Sequence, residues 1–241
     1  MFLIMQRNRL ILHMVFILCI ETATEVCSVA VFGKNELLVI NEIKEGNMHA
    51  SALTMLIEKT INEANISLKQ LNAICVSKGP GSYTGLRVGV STAKGLCYGL
   101  NIPLLSVNTL QGIAGFYMQQ NPNNKITLCP MIDARRMEVY TALFDFNLRE
   151  VIPTHAAVID EKSFIDELNQ HPMLFLGNGA EKCKSTIIHP NAFFVDGVQC
   201  SAAGLGQLAY QQYLSGKFED TAYFEPFYLK DFVGTVSKKM H

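Results

Sequence analysis

Residues 77–89 read Ser-Lys-Gly-Pro-Gly-Ser-Tyr-Thr-Gly-Leu-Arg-Val-Gly, directly after a short apolar run, Leu71 to Val76, that is typical of a buried strand. Small residues at helical spacing follow, so the stretch predicts a strand, a glycine-rich turn and a helix. That arrangement often holds an anion, because the first turn of a helix leaves backbone N–H groups unpaired. The generic motifs do not match, however. Thr84 stands where the Walker loop and the dinucleotide fingerprint both require glycine, and Ser82 lies between Pro80 and Thr84 where a nucleophile elbow has glycines.

The predicted helix carries glycines four residues apart, Gly85 with Gly89 and Gly95 with Gly99. Each interior glycine costs about 1 kcal/mol relative to alanine, so several in one helix need an offsetting gain. The usual gain is the close approach of another backbone. Two explanations stay open: packing inside the chain's own domain, or a helix face that joins a second subunit. Both can hold on opposite faces.

The composition indicates a well-packed globular protein. Hydrophobic residues make up 49% of the 241 residues and charged residues 17%, which suits one large domain or two lobes. The formal net charge of -1 argues against a chain that grips nucleic acid by itself. Seven cysteines occur singly, without a Cys-x-x-Cys pair, and therefore indicate reduced core thiols of a cytosolic protein.

The N-terminal segment imitates a signal peptide, because Arg7 and Arg9 precede an apolar run. Phe16 to Ile20 within that run is also the obvious first strand, and no small-residue cleavage site precedes it. The run is too short to span a bilayer. We therefore predict a spurious or disordered extension at 1–13, a start near Met14 and no membrane association.

Residues 14–107 predict an N-terminal lobe of the α/β class. Three strands form a meander and are followed by helix, strand, helix and strand. This βββαβαβ order implies a mixed sheet covered by helices. The predicted elements are strands Phe16–Ile20, Cys27–Phe32 and Leu37–Ile43, helix Met48–Ala64, strand Leu71–Val76, helix Gly85–Leu100 and strand Leu104–Val107.

Residues 108–215 predict a C-terminal lobe, and the aromatic tail 216–241 is expected to pack back on the N-terminal lobe. Asp133 to Arg136 forms a charged turn; contact with RNA or a partner and a merely solvated tip both remain open. The predicted elements are helix Leu110–Met118, strands Ile126–Ile132 and Glu138–Phe146, a helix capped by Ser163 and running to Asn169, strand Met173–Leu176, a strand near Phe193 and a helix from Ser201 to Leu214.

Several motifs together resemble the TsaB (YeaZ-like) proteins, small paralogues in the TsaD glycoprotease-like family. The resemblance implies the two-lobed fold of the actin, hexokinase and heat-shock-protein (ASKHA) superfamily. Glu21 departs from the pattern, because this superfamily usually has aspartate in its first phosphate-facing hairpin, and the longer side chain argues against nucleotide binding there. The matching residues are Ile20–Thr24, Cys27–Val31, His49, Gly79–Arg87, Ile132–Arg135, Glu138–Tyr140 and Pro226–Lys230.

TsaD-type relatives carry a metal-binding His-x-x-x-His on the helix after the strand that matches Leu104–Val107. Thr109 and Ile113 occupy the two ligand positions here, and isoleucine cannot coordinate a metal. No two histidines of the chain are four residues apart. The resemblance therefore implies a subunit without catalytic residues, metal or cofactor.

What the resemblance implies instead is a scaffold or activator of the complex that installs threonylcarbamoyl on adenosine next to the tRNA anticodon. Its partners would be a TsaD-like catalytic subunit and a TsaE-like ATPase, with a homodimer when the partner is absent and tRNA reached only through the complex. The alternatives are an independent ATPase or sugar kinase of the same superfamily and a glycoprotease. His49 could also act as a general base, although no nucleophile is paired with it. The predicted interface comprises His49, Leu53, Leu56, Gly85, Arg87, Gly89 and Ala93.

Overall fold

The computed structural model describes residues 14–44 and 49–230, so the predicted extension 1–13 and the last part of the tail lie outside the described residues. Its first half is a five-stranded mixed sheet in the order β3-β2-β1-β4-β5. β1, β2 and β3 are antiparallel, whereas β4 and β5 run parallel to β1. This confirms the predicted βββαβαβ order. The elements are β1 (Phe16–Glu21), β2 (Val26–Gly33), β3 (Glu36–Lys44), α1 (His49–Glu63), β4 (Leu71–Ser77), α2 (Tyr83–Leu100) and β5 (Leu104–Val107).

The second half repeats the strand plan of the first. Its sheet has the order β10-β9-β6-β7-β8, so β6 to β10 correspond one by one to β1 to β5, with the same parallel and antiparallel pairs. The turn between β6 and β7 is therefore the counterpart of the turn between β1 and β2. The elements are α3 (Thr109–Gln120), β6 (Thr127–Asp133), β7 (Glu138–Phe144), β8 (Glu150–Val158), α4 (Ile165–Gln170), β9 (Met173–Leu176), β10 (Ala192–Val195) and α5 (Gly206–Leu214).

Three details of the second half differ from the prediction. β8 was not predicted; it is an edge strand with the exposed Pro153 in it, a residue that a sheet tolerates at its edge. The helix α4 begins after Phe164, because the Ser163 hydroxyl bonds Asp160 instead of capping the helix. A short 3₁₀ turn, Glu181–Cys183, lies between β9 and β10, where no helical element was predicted.

Both faces of the first sheet are apolar, and different helices cover them. Leu18 and Ile20 face α1 and α2, whereas Ile17 and Cys19 face the other side. Ala209 of α5 packs on that second side, so α5 covers the first sheet and not the second. The assignment of the whole of 108–215 to the C-terminal lobe was wrong for this helix.

Glycine backbones let α3, which packs on the second sheet, contact the 3₁₀ turn Ala202–Leu205, which precedes α5 and packs on the first sheet. A Cβ atom built on Gly204 would lie 2.1 Å from the carbonyl oxygen of Gly112 in α3, and one on Gly115 would lie 2.8 Å from the carbonyl oxygen of Gly204. α3 and this 3₁₀ turn therefore contact each other through their backbones. All seven cysteines are free and buried, as the sequence predicted. Within the described residues, the helices are too short or too polar to cross a bilayer.

Candidate functional site

The turn between β1 and β2 is filled by the glycine-rich segment of the same chain. Thr22 Oγ1 donates a hydrogen bond of 2.7 Å to the Gly85 carbonyl, and the Ser82 N–H donates one of 2.7 Å to the Ala23 carbonyl. A Cβ atom on Gly81 would lie 2.3 Å from the Ala23 oxygen, and one on Gly85 would lie 2.1 Å from the Thr22 oxygen. The approach is thus too close for even a methyl group, and glycine is required at both positions.

Glu21 ends β1 and is buried, with 1% of its surface exposed. Burial raises the pKa of its carboxyl group from 4.5 to about 7, although bonds from the Ala23 N–H, the Ser77 hydroxyl and the Thr22 N–H act in the opposite direction. The bond from Ala23 to Oε1 is 2.6 Å long. This carboxyl group is therefore held in the interior of the chain, at the end of β1.

The two positions that match the metal ligands of TsaD-type relatives have structural roles here. Thr109 is buried at the start of α3; its Oγ1 lies 2.6 Å from Ser77 Oγ and accepts a 3.1 Å hydrogen bond from the Gly79 N–H. Ile113 packs in the core between α3 and the second sheet. In the part of the chain that the structure describes, no group of three His, Cys, Asp or Glu residues is placed to hold a metal ion.

Most of the predicted interface residues face the core, and that part of the prediction was wrong. A Cβ atom on Gly89 would lie 2.3 Å from Thr22 Oγ1, so this glycine packs against the β1–β2 turn. The apolar spacing that identified the helices marks the side that each helix turns to its own sheet. The residues buried in this way are Leu53, Leu56, Gly85, Gly89 and Ala93.

The outward sides of α1 and α2 carry a different set of residues. A Cβ atom built on Gly95 or Gly99 would meet no side chain or distant backbone atom within 4 Å, and Tyr98 beside them is 88% exposed. Met55 of α1 is 60% exposed. Arg87 alone of the predicted interface residues with a described side chain is exposed, and its guanidinium lies 4.4 Å from the centre of the Tyr83 ring. His49 begins α1, but its side chain lies outside the described residues. We call Met55, Arg87, Gly95, Tyr98 and Gly99 the α1–α2 surface.

The described part of the tail packs on α2, as predicted. Lys94 Nζ donates hydrogen bonds of 3.0 Å to the carbonyl groups of Ala222 and Phe224. The Tyr228 ring lies 4.8 Å from the Tyr83 ring, centre to centre. Between α2 and the tail is an open groove of about 280 Å³.

The turn between β6 and β7 is exposed, in contrast to its counterpart in the first sheet. Arg135 and Arg136 have φ angles of 71° and 48°, in the left-handed region that arginine rarely adopts. Lys182 stabilises the turn. It pairs with the Asp133 carboxylate and donates hydrogen bonds of 2.7 Å to the carbonyl groups of Arg136 and Glu138. The sequence identified this charged turn but gave no sign of Lys182, which lies some 45 residues away.

Comparison with known proteins gives a consistent result. The family model described as TsaD, tRNA N6-adenosine threonylcarbamoyltransferase, matches residues 44–233. The tRNA threonylcarbamoyladenosine biosynthesis protein TsaB of Haemophilus influenzae is 28% identical over 237 residues, which cover 89% of this chain and 93% of that protein. The protein of the same name from Buchnera aphidicola (subsp. Acyrthosiphon pisum) is 30% identical over 152 residues, 63% of this chain and 67% of its own length.

Solved structures are similar in fold. A Pseudomonas aeruginosa protein described as similar to peptidase YEAZ superposes with a TM-score of 0.78 at 23% identity, over 90% of this chain and 99% of that one. The activator of 2-hydroxyisocaproyl-CoA dehydratase from Clostridium difficile, with bound ADPNP, gives a TM-score of 0.50 at 9% identity, over 85% and 97% of the two chains. These likenesses confirm the predicted two-lobed ASKHA fold.

Proposed function

This chain belongs to the TsaD family of tRNA N6-adenosine threonylcarbamoyltransferases, on its TsaB-like branch, and from that premise we propose that it is a non-catalytic subunit of threonylcarbamoyladenosine biosynthesis. In this role it binds a TsaD-like catalytic subunit and acts as its scaffold or activator. A TsaE-like ATPase joins the complex, and tRNA is reached only through the complex. The site of action is the cytoplasm.

The filled β1–β2 turn is the observation that carries the non-catalytic part of the proposal. The backbones of Gly81 and Gly85 pack so closely on this hairpin that not even a Cβ atom fits between them and the turn, which supports a hairpin without space for a phosphate. The buried Glu21 would add a carboxyl group where a phosphate already carries negative charge. Thr109 and Ile113 are both committed to the packing of the chain itself. These observations support a chain that has the fold of phosphate-binding enzymes but no space for a phosphate at the β1–β2 turn.

The α1–α2 surface is the docking face that we propose for the TsaD-like subunit. Gly95 and Gly99 allow the backbone of a partner helix to come close, and the exposed Tyr98 and Met55 supply apolar area. The residues 14–107, with the tail 216–241, form the partner-binding lobe in this scheme. When the partner is absent, a second copy of the chain uses the same face, because related lobes offer related surfaces.

The test is to co-express the chain with the TsaD-like protein of the same organism and to measure their affinity. Gly95→Trp and Tyr98→Ala should each weaken the association at least tenfold, since a Trp blocks the close approach and an exposed aromatic anchor is lost. Ile188→Ala, which removes an equally exposed apolar side chain from the second half, should leave the affinity unchanged. Normal association of Gly95→Trp would refute this docking face.

Activity assays on the isolated chain test the two alternative functions, an independent kinase or ATPase and a glycoprotease. Phosphate release from ATP by the isolated chain at enzymatic rates would favour an independent ATPase or sugar kinase. Cleavage of a glycoprotein substrate by the isolated chain would favour a glycoprotease. The proposal expects neither activity, and it expects no zinc to copurify with the chain.

A further inference from the structure

We propose that a strip of basic and aromatic side chains, running from α2 across the tail to the β6–β7 turn, contacts the phosphates of tRNA when the chain is bound to its catalytic partner. The inference rests on the proposed function and extends it, because it makes this subunit a direct part of the RNA-binding surface. The strip consists of Lys78, Tyr83, Arg87, Arg135, Arg136, Tyr228 and Lys230.

The strip is continuous through direct contacts. Arg87 lies over the Tyr83 ring, and Tyr83 contacts Tyr228 of the tail. Two residues further along the tail, Lys230 pairs with the Glu138 carboxylate. The Glu138 N–H in turn donates a 3.1 Å hydrogen bond to the Arg135 carbonyl in the β6–β7 turn. The tail therefore connects α2 of the first half to the β6–β7 turn of the second.

The charges on this line are not balanced. The carboxylates nearest the turn, Asp133 and Glu138, are each paired with a lysine, Lys182 and Lys230. Within the described ranges, no carboxylate lies at ion-pair distance from Lys78 or from the three arginines of the strip. Glu225 lines the groove beside Arg87, without an ion pair to it among the described residues. A chain with a net charge of -1 thus concentrates unpaired cations in one place.

The β6–β7 turn presents its two arginines rigidly. The Ala134 N–H donates to the Glu138 carbonyl over 3.1 Å, and Lys182 bonds the Arg136 carbonyl from beneath. Both arginines hold left-handed backbone conformations that glycine or asparagine would adopt with less strain. Arginine at these positions therefore points to a function of the side chains. Because the backbone of the turn is already fixed, only the side chains have to be ordered when the arginines bind phosphate oxygens.

The pattern favours RNA over an acidic protein surface. The rings of Tyr83 and Tyr228 lie between the Arg87 guanidinium on α2 and Lys230 of the tail, and a combination of cations with aromatic rings is typical of surfaces that bind single-stranded nucleic acid. An acidic protein surface would need only the charges. The TsaB relatives of Haemophilus influenzae and Buchnera aphidicola are named for their part in tRNA modification.

The experiment uses the assembled complex of the full chain with its TsaD-like partner. An unmodified, fluorescently labelled tRNA transcript is titrated at several salt concentrations, and the affinity is plotted against the logarithm of salt. Arg135→Gln with Arg136→Gln should lower the slope by about 1.4 to 1.8 and weaken binding roughly 25- to 60-fold at about 0.1 M salt, because each lost phosphate contact contributes about 0.7 to 0.9 to the slope. Arg149→Gln is the matched control: it removes an exposed arginine at the other end of β7.

Each outcome supports or overturns the proposal. Loss of slope and affinity in the double variant, with the Arg149 variant unchanged, supports it. An unchanged slope in the double variant overturns it, and so does an equal loss in the Arg149 variant. If the double variant fails to join the complex, the turn is a protein contact and the proposal is wrong. A wild-type chain that does not bind the catalytic partner at all refutes the proposed function instead.

Discussion

Replacing Glu21 by glutamine should change how the stability of the protein depends on pH. In the folded protein burial raises the pKa of this carboxyl group to about 7, whereas the ordinary value is 4.5. Below pH 4.5 the group is protonated in both the folded and the unfolded state, and its burial costs nothing in ionisation. Between pH 4.5 and 7 the unfolded chain releases the proton while the folded protein keeps it. The wild-type protein should therefore lose stability over this interval and stay level above it.

The magnitude follows from the size of the shift. A displacement of one pKa unit corresponds to about 1.36 kcal/mol, so the wild-type protein should lose about 3 kcal/mol of unfolding free energy between pH 4.5 and 8. Glutamine keeps the oxygen that accepts the Ala23 N–H and cannot ionise. The Glu21→Gln variant should lack this loss, and at pH 8 its melting temperature should exceed the wild-type value by roughly 6–12 °C relative to their difference at pH 4.5.

The assays are urea unfolding for the free energy and thermal unfolding for the melting temperature, both followed by circular dichroism, at several pH values between about 4.5 and 9. Glu58→Gln, which removes an exposed carboxylate from α1, serves as the control and should follow the wild-type curve. Parallel curves for the wild type and Glu21→Gln over the whole range would refute the reasoning. Such a result would mean that Glu21 is charged in the folded state without cost.

Two further pairs of substitutions test the packing of α2 and of the glycine-rich segment. Gly89→Ala should destabilise the chain by about 1–3 kcal/mol, because its Cβ atom would meet Thr22 Oγ1 at 2.3 Å. Gly95→Ala, with open space around it, should instead stabilise α2 by about 0.5–1 kcal/mol. If urea unfolding gives changes of the same sign for both variants, this difference between the two faces of α2 is contradicted. Thr109→Val should cost about 1–3 kcal/mol, because Ser77 Oγ and the Gly79 N–H lose a buried partner. Thr109→Ser keeps the hydroxyl group and should retain most of the stability; a loss in Thr109→Ser with no loss in Thr109→Val would show that the methyl group, not the hydroxyl, matters.

The first sheet could be predicted closely from the sequence because its signals are strong. Every residue of β1 and β2 is buried, and polar turn residues bound both strands. β8 escaped prediction because it lies at a sheet edge, where the polar and apolar residues do not alternate cleanly and Pro153 is allowed. The position of α5 could not be predicted either, since the sequence does not say which apolar sheet face a distant helix covers.

The candidate surface shows a different limit of sequence reasoning. Periodicity finds the apolar stripe of a helix, and in α1 and α2 that stripe belongs to the chain's own core, so Leu53 and Ala93 were assigned to the wrong side. The two glycine pairs look alike in the sequence, but Gly89 packs inward and Gly95 faces out. Only the rotation of α2 on the sheet separates them, and that rotation depends on contacts with Thr22, far away in the chain.

The contact between Gly112 and Gly204 has a mechanical consequence. Many kinases close their two domains around a ligand by hinge or shear motion. Here α3 on the second sheet and the 3₁₀ turn Ala202–Leu205 on the first sheet meet at a point where neither backbone leaves room for even a Cβ atom. We therefore expect the chain to act as a rigid body that does not close on a ligand. Any effect on a neighbouring protein would then come from contacts at its surface.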